Sequence, residues 1–458
     1  MYKYFLSLLA LFCFISCSSK VETPNQAGTE NEEKTIEITV NNGAMEGDKK
    51  TFKVNEAKRE AFYKHYPNIK IIPNSWQYTA ETFMSKMAGG TCTDIIGLPN
   101  ATDGIGLAER ELALDLTPFI EKWDDYKYLN PTVVEPFVID GKIYGLPGNV
   151  GYAMGLGINK DLFRAAGIVD SSGEPIPPKN WEEFVETAKK LTDRNNGVYG
   201  FVFVGKKGEA GWHFLNWAYQ AGGEFERSVD GKWKAVFNEQ PVVEALQFVQ
   251  DMKWKHNFIQ DNILMDNEEM LEFFASDKAG MAILAPYFIE VLSYKYNFPV
   301  EKIGFYGLPE GPGGKACVMG GGYSIINPTI SSEKQDAAFR YLTYNLSIEL
   351  WEVHYRECSE LGIPVGLPGV ALYVGEKQKE FEEMESKYRN VPLFPEYRKY
   401  VAKYARSEPP YYTQQLYSEV LLPAVQNVLT DKNADSLEIL NKGAEMFQKR
   451  FLDKMENE

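Results

Sequence analysis

TIEITVNNGAMEGDKKTFKVNEAKREAFYKHYPNIKIIPNSWQYTAETFMSKMAGGTCTDIIGL (residues 35–98) decides the fold class. Ile36, Ile38 and Val40 alternate with Glu37 and Thr39, the period of a half-buried strand. The apolar runs IKII (69–72) and DIIGL (94–98) supply two more strands. Between them the spacing predicts helices near 54–65 and over 79–88, the second stopped by Gly89 and Gly90. Strand, helix, strand, helix, strand at these lengths predicts parallel α/β architecture.

The alternation continues outward. Asn180 stands as an N-cap before an amphipathic helix over 181–191, and Pro241 opens another reaching Met252. YGFVFV (199–204), AGMAIL (279–284), IGFYGL (303–308) and GGGYSII (320–326) read as strands, and from Glu333 onward the chain reads as nearly all helical. Upstream, the polar stretch 18–33 cannot contribute to a core and reads as a tether. Residues 1–17 (MYKYFLSLLALFCFISC) place Lys3 before an apolar run over 5–15, far short of the ~20 residues a spanning helix needs. The phrase FISC resembles a bacterial lipobox, with Phe14 where Leu is usual. That implies a leader over 1–16 and lipidation at Cys17, so that the exported chain is held on its membrane by lipid alone.

At 458 residues the chain exceeds one ordinary core, so two lobes are expected. Its net charge is 48 − 64 = −16, without the basic block that nucleic-acid binding needs. A surplus of Tyr and Trp suits stacking on flat polar ligands. Cys92, Cys317 and Cys358 are unevenly spaced, and His65, His213, His256 and His354 are scattered, so neither a disulfide framework nor a metal site is expected. PEGPGGKAC (309–317) fails as a phosphate loop, because Pro309 replaces the first glycine and Ala316 the Ser/Thr. No nucleophile elbow or HExxH motif occurs, and no carboxylate pair stands out, so no catalytic residue is expected.

Five phrases in order carry a resemblance: 62–98, LDLTPFI (114–120), GKIYGLPGNVGYAMGLGINKDLFRAAGI (141–168) with its sequel PPKNWEEFVETAKKLT, FFASDKAGMAILAPY (273–287), and GGGYSIINPTISSEKQDAAFRYLTYNLSIE (320–349). Together they resemble the family-1 extracellular solute-binding proteins, which include the maltose-binding proteins. Gly157 and Ile158 depart from the aliphatic–Tyr pair usual before the Asn. The resemblance implies a two-lobed periplasmic-binding-protein-like α/β fold with a ligand cleft between lobes and interleaved chain crossings. It implies one lobe from 34–150 plus about 324–370, and another from 151–323 plus about 371–458. Gly148, Gly151 and Gly320–Gly322 are the expected hinge.

Loops beyond strand ends carry Asn41, Asn42, Glu46, Asp48, Asn100, Asp103 and Asn149. Such side chains match sugar hydroxyls, although Asn and Asp also form turns. Aligned on the family phrases, Tyr152, Trp212, Tyr287 and Tyr417 fall at ligand-contacting places, while Trp76 and Trp351 read as packing. The expected ligand set is therefore Trp212, Tyr287, Tyr152, Asp103, Asn149, Asn100, Asn41 and Tyr417. The function the resemblance implies is capture of a small solute, a sugar, by a monomer that delivers it to ABC permease subunits. No cofactor, metal or nucleic acid is expected. A surface glycan-active enzyme and a ligand sensor without a transporter are the alternatives.

Overall fold

The computed structural model describes residues 34–41, 49–99, 102–148 and 152–455. The leader, Cys17, the tether and the loop residues Asn42, Glu46, Asp48, Asn100, Asn149 and Gly151 lie outside the described residues.

Ile36–Val40 pairs in parallel with Ile69–Pro73, Ile36 opposite Ile69 and Ile38 opposite Ile71. The helix Lys49–His65 makes the return between them and buries Val54, Ala61 and Phe62. The next helix, Ala80–Ala88, starts at a reciprocal cap in which the Thr82 amide donates to Thr79 Oγ1 and the Thr79 amide to Thr82 Oγ1. Ile95–Leu98 follows, parallel to the first strand. Beyond it the sheet departs from the parallel expectation. Tyr323–Ile326 and Leu146–Pro147 complete the order 69–73, 36–40, 95–98, 323–326, 146–147, and both of their pairings are antiparallel. The chain reaches these two strands from other parts of the molecule, not through a local crossover; 323–326 runs against the first three strands, and 146–147, antiparallel to it, runs with them.

A second core surrounds a four-stranded sheet ordered Ile303–Tyr306, Gly155–Asn159, Ala279–Leu284, Tyr199–Phe201. Gly155–Asn159 and Ala279–Leu284 are buried along their whole lengths. Their antiparallel pairing sets Gly157 opposite Ala282, and the Leu284 side chain reaches over it: a Cβ at 157 would lie 2.3 Å from Leu284 Cδ1. The unusual glycine is thus room for a neighbouring leucine. Trp181–Leu191 packs on this sheet, capped as expected, with the Glu183 amide donating to Asn180 Oδ1 at 2.9 Å.

A third, small sheet joins the two halves. Cys317–Gly320 pairs antiparallel with Tyr152–Ala153 and parallel with Ala405–Ser407. Adjacent to it the Gly148 amide donates to the Gly322 carbonyl at 2.8 Å, so the two strands that leave the first sheet run side by side. Gly148 and Gly320 do not adopt positive φ. Gly320 is needed for space: a Cβ there would lie 2.9 Å from the Tyr152 ring. Ala405–Ser407 interrupts the helical C-terminal region expected from the sequence, and its three residues carry no periodic signal.

Late helices divide between the cores. Gly375–Tyr388 gives Phe381 and Met384 to the first core, whereas Pro395–Tyr404 gives Tyr397, Tyr400 and Val401 to the second. Among the described residues Cys92, Cys317 and Cys358 are free thiols, and no helix is long and apolar enough to cross a membrane.

Candidate functional site

The site is assembled by one glycine-bearing helix crossing another. Glu209–Gln220 runs through the second core with nearly every residue buried, and most of its polar side-chain groups find partners there, Trp217 Nε1 and Gln220 Nε2 excepted. His213 Nε2 meets Asn267 Oδ1 at 2.8 Å, Asn216 Oδ1 accepts from the Val318 amide, and Gln220 Oε1 accepts from Trp181 Nε1. Burial pushes the His213 pKa down to about 4, so the ring is neutral at physiological pH. At Gly211 this helix meets the π-helical turn Leu416–Leu421, where a Cβ would lie 2.8 Å from Tyr417 Cα. A mid-helix glycine costs about 1 kcal/mol of helix propensity. Here its missing side chain lets Tyr417 come against the same helix that carries Trp212.

Four aromatics from four segments converge. The Tyr152 ring lies 6.0 Å from Trp212 at 85° and 5.2 Å from Tyr287 at 74°. These steep angles make a corner, not a stack. Together with Tyr417, these rings line a cavity of about 250 Å³ that also includes Pro99, Gly208, Glu209, Glu408 and Gln414. Pro99, Tyr152 and Tyr287 also line a larger neighbouring cavity of about 1010 Å³. The wall of that cavity takes Asn130, Trp351 and Tyr355 from around the first core and Pro286, Met319 and Val401 from the second.

The four rings are not equivalent. Tyr287 is 39% exposed, whereas Trp212 and Tyr417 retain only 8% and 3% and belong to the second core as well as to the cavity wall. Tyr417 donates to Glu408 Oε1 at 2.6 Å, and burial followed by the Glu408 charge raises its hydroxyl well above the usual tyrosine range. Glu209 opens the central helix and accepts from the Asn267 amide at 2.5 Å. Burial raises the pKa of its carboxyl, against the lowering effect of that bond.

The expected polar set fares differently. Asn41 is 3% exposed and clamps two strands: its Nδ2 donates to the Gly97 carbonyl, and its Oδ1 accepts from the Gly97 amide at 2.5 Å. It does not line the cavity. Asn100 and Asn149 lie outside the described residues, as does the side chain of Asp103, whose backbone belongs to the helix Thr102–Glu109. Sequence reasoning missed Glu209, Glu408 and Gln414. Glu209 stands three residues before Trp212, on the same helical face, and that spacing was a usable signal. Glu408, within SEPPYY (407–412), offered none.

Two further bonds cross the molecule near the cavity. Tyr411 donates to Glu109 Oε1 at 3.0 Å, and Arg110 Nη2 donates to the Tyr412 hydroxyl at 3.2 Å.

Residues 49–349 match the family model for bacterial extracellular solute-binding proteins. A Brucella abortus (strain 2308) protein named only as a binding protein is 28% identical over 297 residues, 62% of this chain and 66% of the relative, so the chain spans just under two thirds of that relative's length. The sn-glycerol-3-phosphate-binding periplasmic protein UgpB of Brucella melitensis is 23% identical over 339 residues, covering 72% of this chain and 74% of its own. Among solved structures, an ABC transporter solute-binding protein from Thermotoga lettingae bound with α-D-tagatose superposes with a TM-score of 0.72 at 21% identity, over 91% of this chain and 99% of that one. The fold of this chain is thus the two-lobed fold of these binding proteins.

Proposed function

Because the chain belongs to the bacterial extracellular solute-binding protein family, we propose that it captures a small polyhydroxy solute, a sugar or polyol, and delivers it to the permease of an ABC importer. The observation that carries this reading is the meeting of Tyr152, Trp212, Tyr287 and Tyr417 with Glu209 and Glu408 around one cavity. Aromatic faces shed water against the C–H faces of a sugar ring, while carboxylates accept from its hydroxyls. The ligands named for two similar proteins, tagatose and glycerol 3-phosphate, are both small and polyhydroxylated. The chain is a binder, with no chemical step assigned to either glutamate.

We take one lobe as 34–148 with 323–388 and the other as 152–320 with 391–455. The packing of Phe381 and Met384 in the first core supports a third crossing after Tyr388, later than the 370 expected from the resemblance. We further assign residues 1–16 as a leader and Cys17 as the lipidated anchor, on the strength of the FISC phrase.

A thermal-shift screen against neutral sugars and polyols tests the central reading, because a ligand that binds only the folded state raises the melting midpoint by mass action. At least one member is expected to raise it in proportion to log concentration. A screen in which no sugar or polyol does so, while another solute class does, refutes the reading.

A further inference from the structure

Charge around the aromatic cavity is one-sided. Glu209 and Glu408 form part of its wall, and no Lys, Arg or His is among the described residues that line it. The lysines just before Glu209 do not line the cavity: Lys207 lies 2.8 Å from Asp266 and Lys206 3.0 Å from Glu269, and their charges offset only part of the effect of burial on Glu209. Arg406, two residues before Glu408, sits over the Tyr219 ring. The internal segments outside the described residues, NGAMEGD (42–48), NA (100–101) and NVG (149–151), contain Glu46 and Asp48 and no basic residue. No part of the sequence between residues 35 and 455 that escapes description can therefore supply a cation to this cavity.

Resting on the sugar-binding reading above, we propose that Glu209 and Glu408 make the cleft charge-selective, favouring a sugar that carries a protonated amine over its neutral counterpart and rejecting the phosphorylated one. An ammonium brings three donors, which suit carboxylate acceptors, and its charge is attracted to the faces of Trp and Tyr rings. Hydrogen bonds between charged partners are roughly twice as strong as neutral ones. A phosphate brings the opposite inventory: acceptor oxygens, and a negative charge set beside two others where solvent screening is reduced. Two observations point the same way. Burial leaves the ionised Glu209 under-solvated, a condition that an incoming cation relieves. The Tyr287 hydroxyl is raised by burial and then by the charges of both Glu209 and Glu408, so both glutamates act on one ring of the site. The net charge of −16 adds a long-range field of the same sign.

The test is calorimetry on the full chain with matched sets: the 2-amino, neutral and 6-phosphate forms of glucose, galactose and mannose, and the β-1,4-linked tetramers of glucosamine and of glucose. Within the set that binds best, the amine is expected to bind about tenfold or more tightly than its neutral counterpart, with the phosphate below detection. Glu408→Gln and, separately, Glu209→Gln should each reduce the amine-to-neutral ratio, with a folded melting transition as the control. If one variant does not fold, the other carries the comparison. A neutral sugar that binds as tightly as its amine, or a phosphate that binds as tightly as the neutral form, overturns charge selection and leaves the sugar reading standing. Absence of binding across all sets overturns charge selection for these sugars, and the thermal-shift screen then decides the sugar reading separately.

Discussion

Tyr287 and Trp212 face the same cavity but answer to different constraints. Tyr287 is 39% exposed, so Tyr287→Ala removes a ligand-facing surface and little packing. It is expected to weaken binding of the cognate sugar about 10- to 100-fold by calorimetry, with the ligand-free melting midpoint nearly unchanged. Trp212 is 8% exposed and contacts Tyr152 and Phe288, so Trp212→Ala opens a hole in the core. Denaturant unfolding should show a loss of about 3–5 kcal/mol alongside the loss of affinity. Equal stability of the two variants would mean that Trp212 is not core. Buried titratable groups set the pH response. Burial raises the Glu226 pKa to about 8 even though Oε2 accepts from the Tyr411 amide, and it lowers His213 to about 4 and His354 to about 3. From pH 4.5 to 6.5 the unfolded chain holds two histidine protons that the folded chain lacks, and the folded chain holds one Glu226 proton that the unfolded lacks. These groups therefore make stability rise up to about pH 6.5. From 6.5 to 8 only Glu226 differs and the folded state holds its proton, so stability falls by about 2 kcal/mol. Glu226→Gln should flatten that alkaline arm in a melting-midpoint profile and steepen the rise below pH 6.5, where the Glu226 proton opposes those of the two histidines.

The element that builds the site is the helix Glu209–Gln220, and its crossing with Leu416–Leu421 depends on Gly211. By helix propensity alone, Gly211→Ala should stabilise by about 1 kcal/mol. Because the new methyl would meet Tyr417 backbone at 2.8 Å, the expected outcome is the reverse: a loss of about 1–3 kcal/mol in chemical unfolding. Sugar affinity should fall as well, since Tyr417 and Trp212 are displaced together. A rise in stability would show that the two helices have room to separate. Elements whose signals are local were legible in the sequence. The Asn180 cap, the amphipathic Trp181–Leu191 and the buried run Ala279–Leu284 all stand where composition and period put them. Tyr199–Phe201 stops short of the predicted YGFVFV strand, and Ala405–Ser407 was invisible: pairing, not pattern, defines so short a strand.

At the scale of the molecule, the pairings of Leu146–Pro147 with Tyr323–Ile326 and of Tyr152–Ala153 with Cys317–Gly320 are the axis we propose for one lobe to turn on the other. Small-angle scattering with and without saturating sugar should show a smaller radius of gyration with ligand, because the closed state contacts it from both lobes. An unchanged radius would sink closure. For the anchor, labelling with a palmitate analogue should mark the wild type and not Cys17→Ala. Membrane association that persists in that variant after leader cleavage would count against lipidation. The sequence by itself determined the α/β class, the first three strands and their crossover helices, and picked out four aromatics that meet at one cavity, because periodicity, caps and ordered family phrases are properties of neighbours along the chain. Only the tertiary structure decided that Asn41 ties strands together, that Gly157 and Gly320 make room for Leu284 and Tyr152, and that Glu408 joins Glu209 at the cavity. It also decided that Tyr323–Ile326 runs against the other four strands of the first sheet. Each of these depends on segments some 50 to 230 residues apart meeting in space, and a pairing at that range leaves no mark in the residues on either side of it.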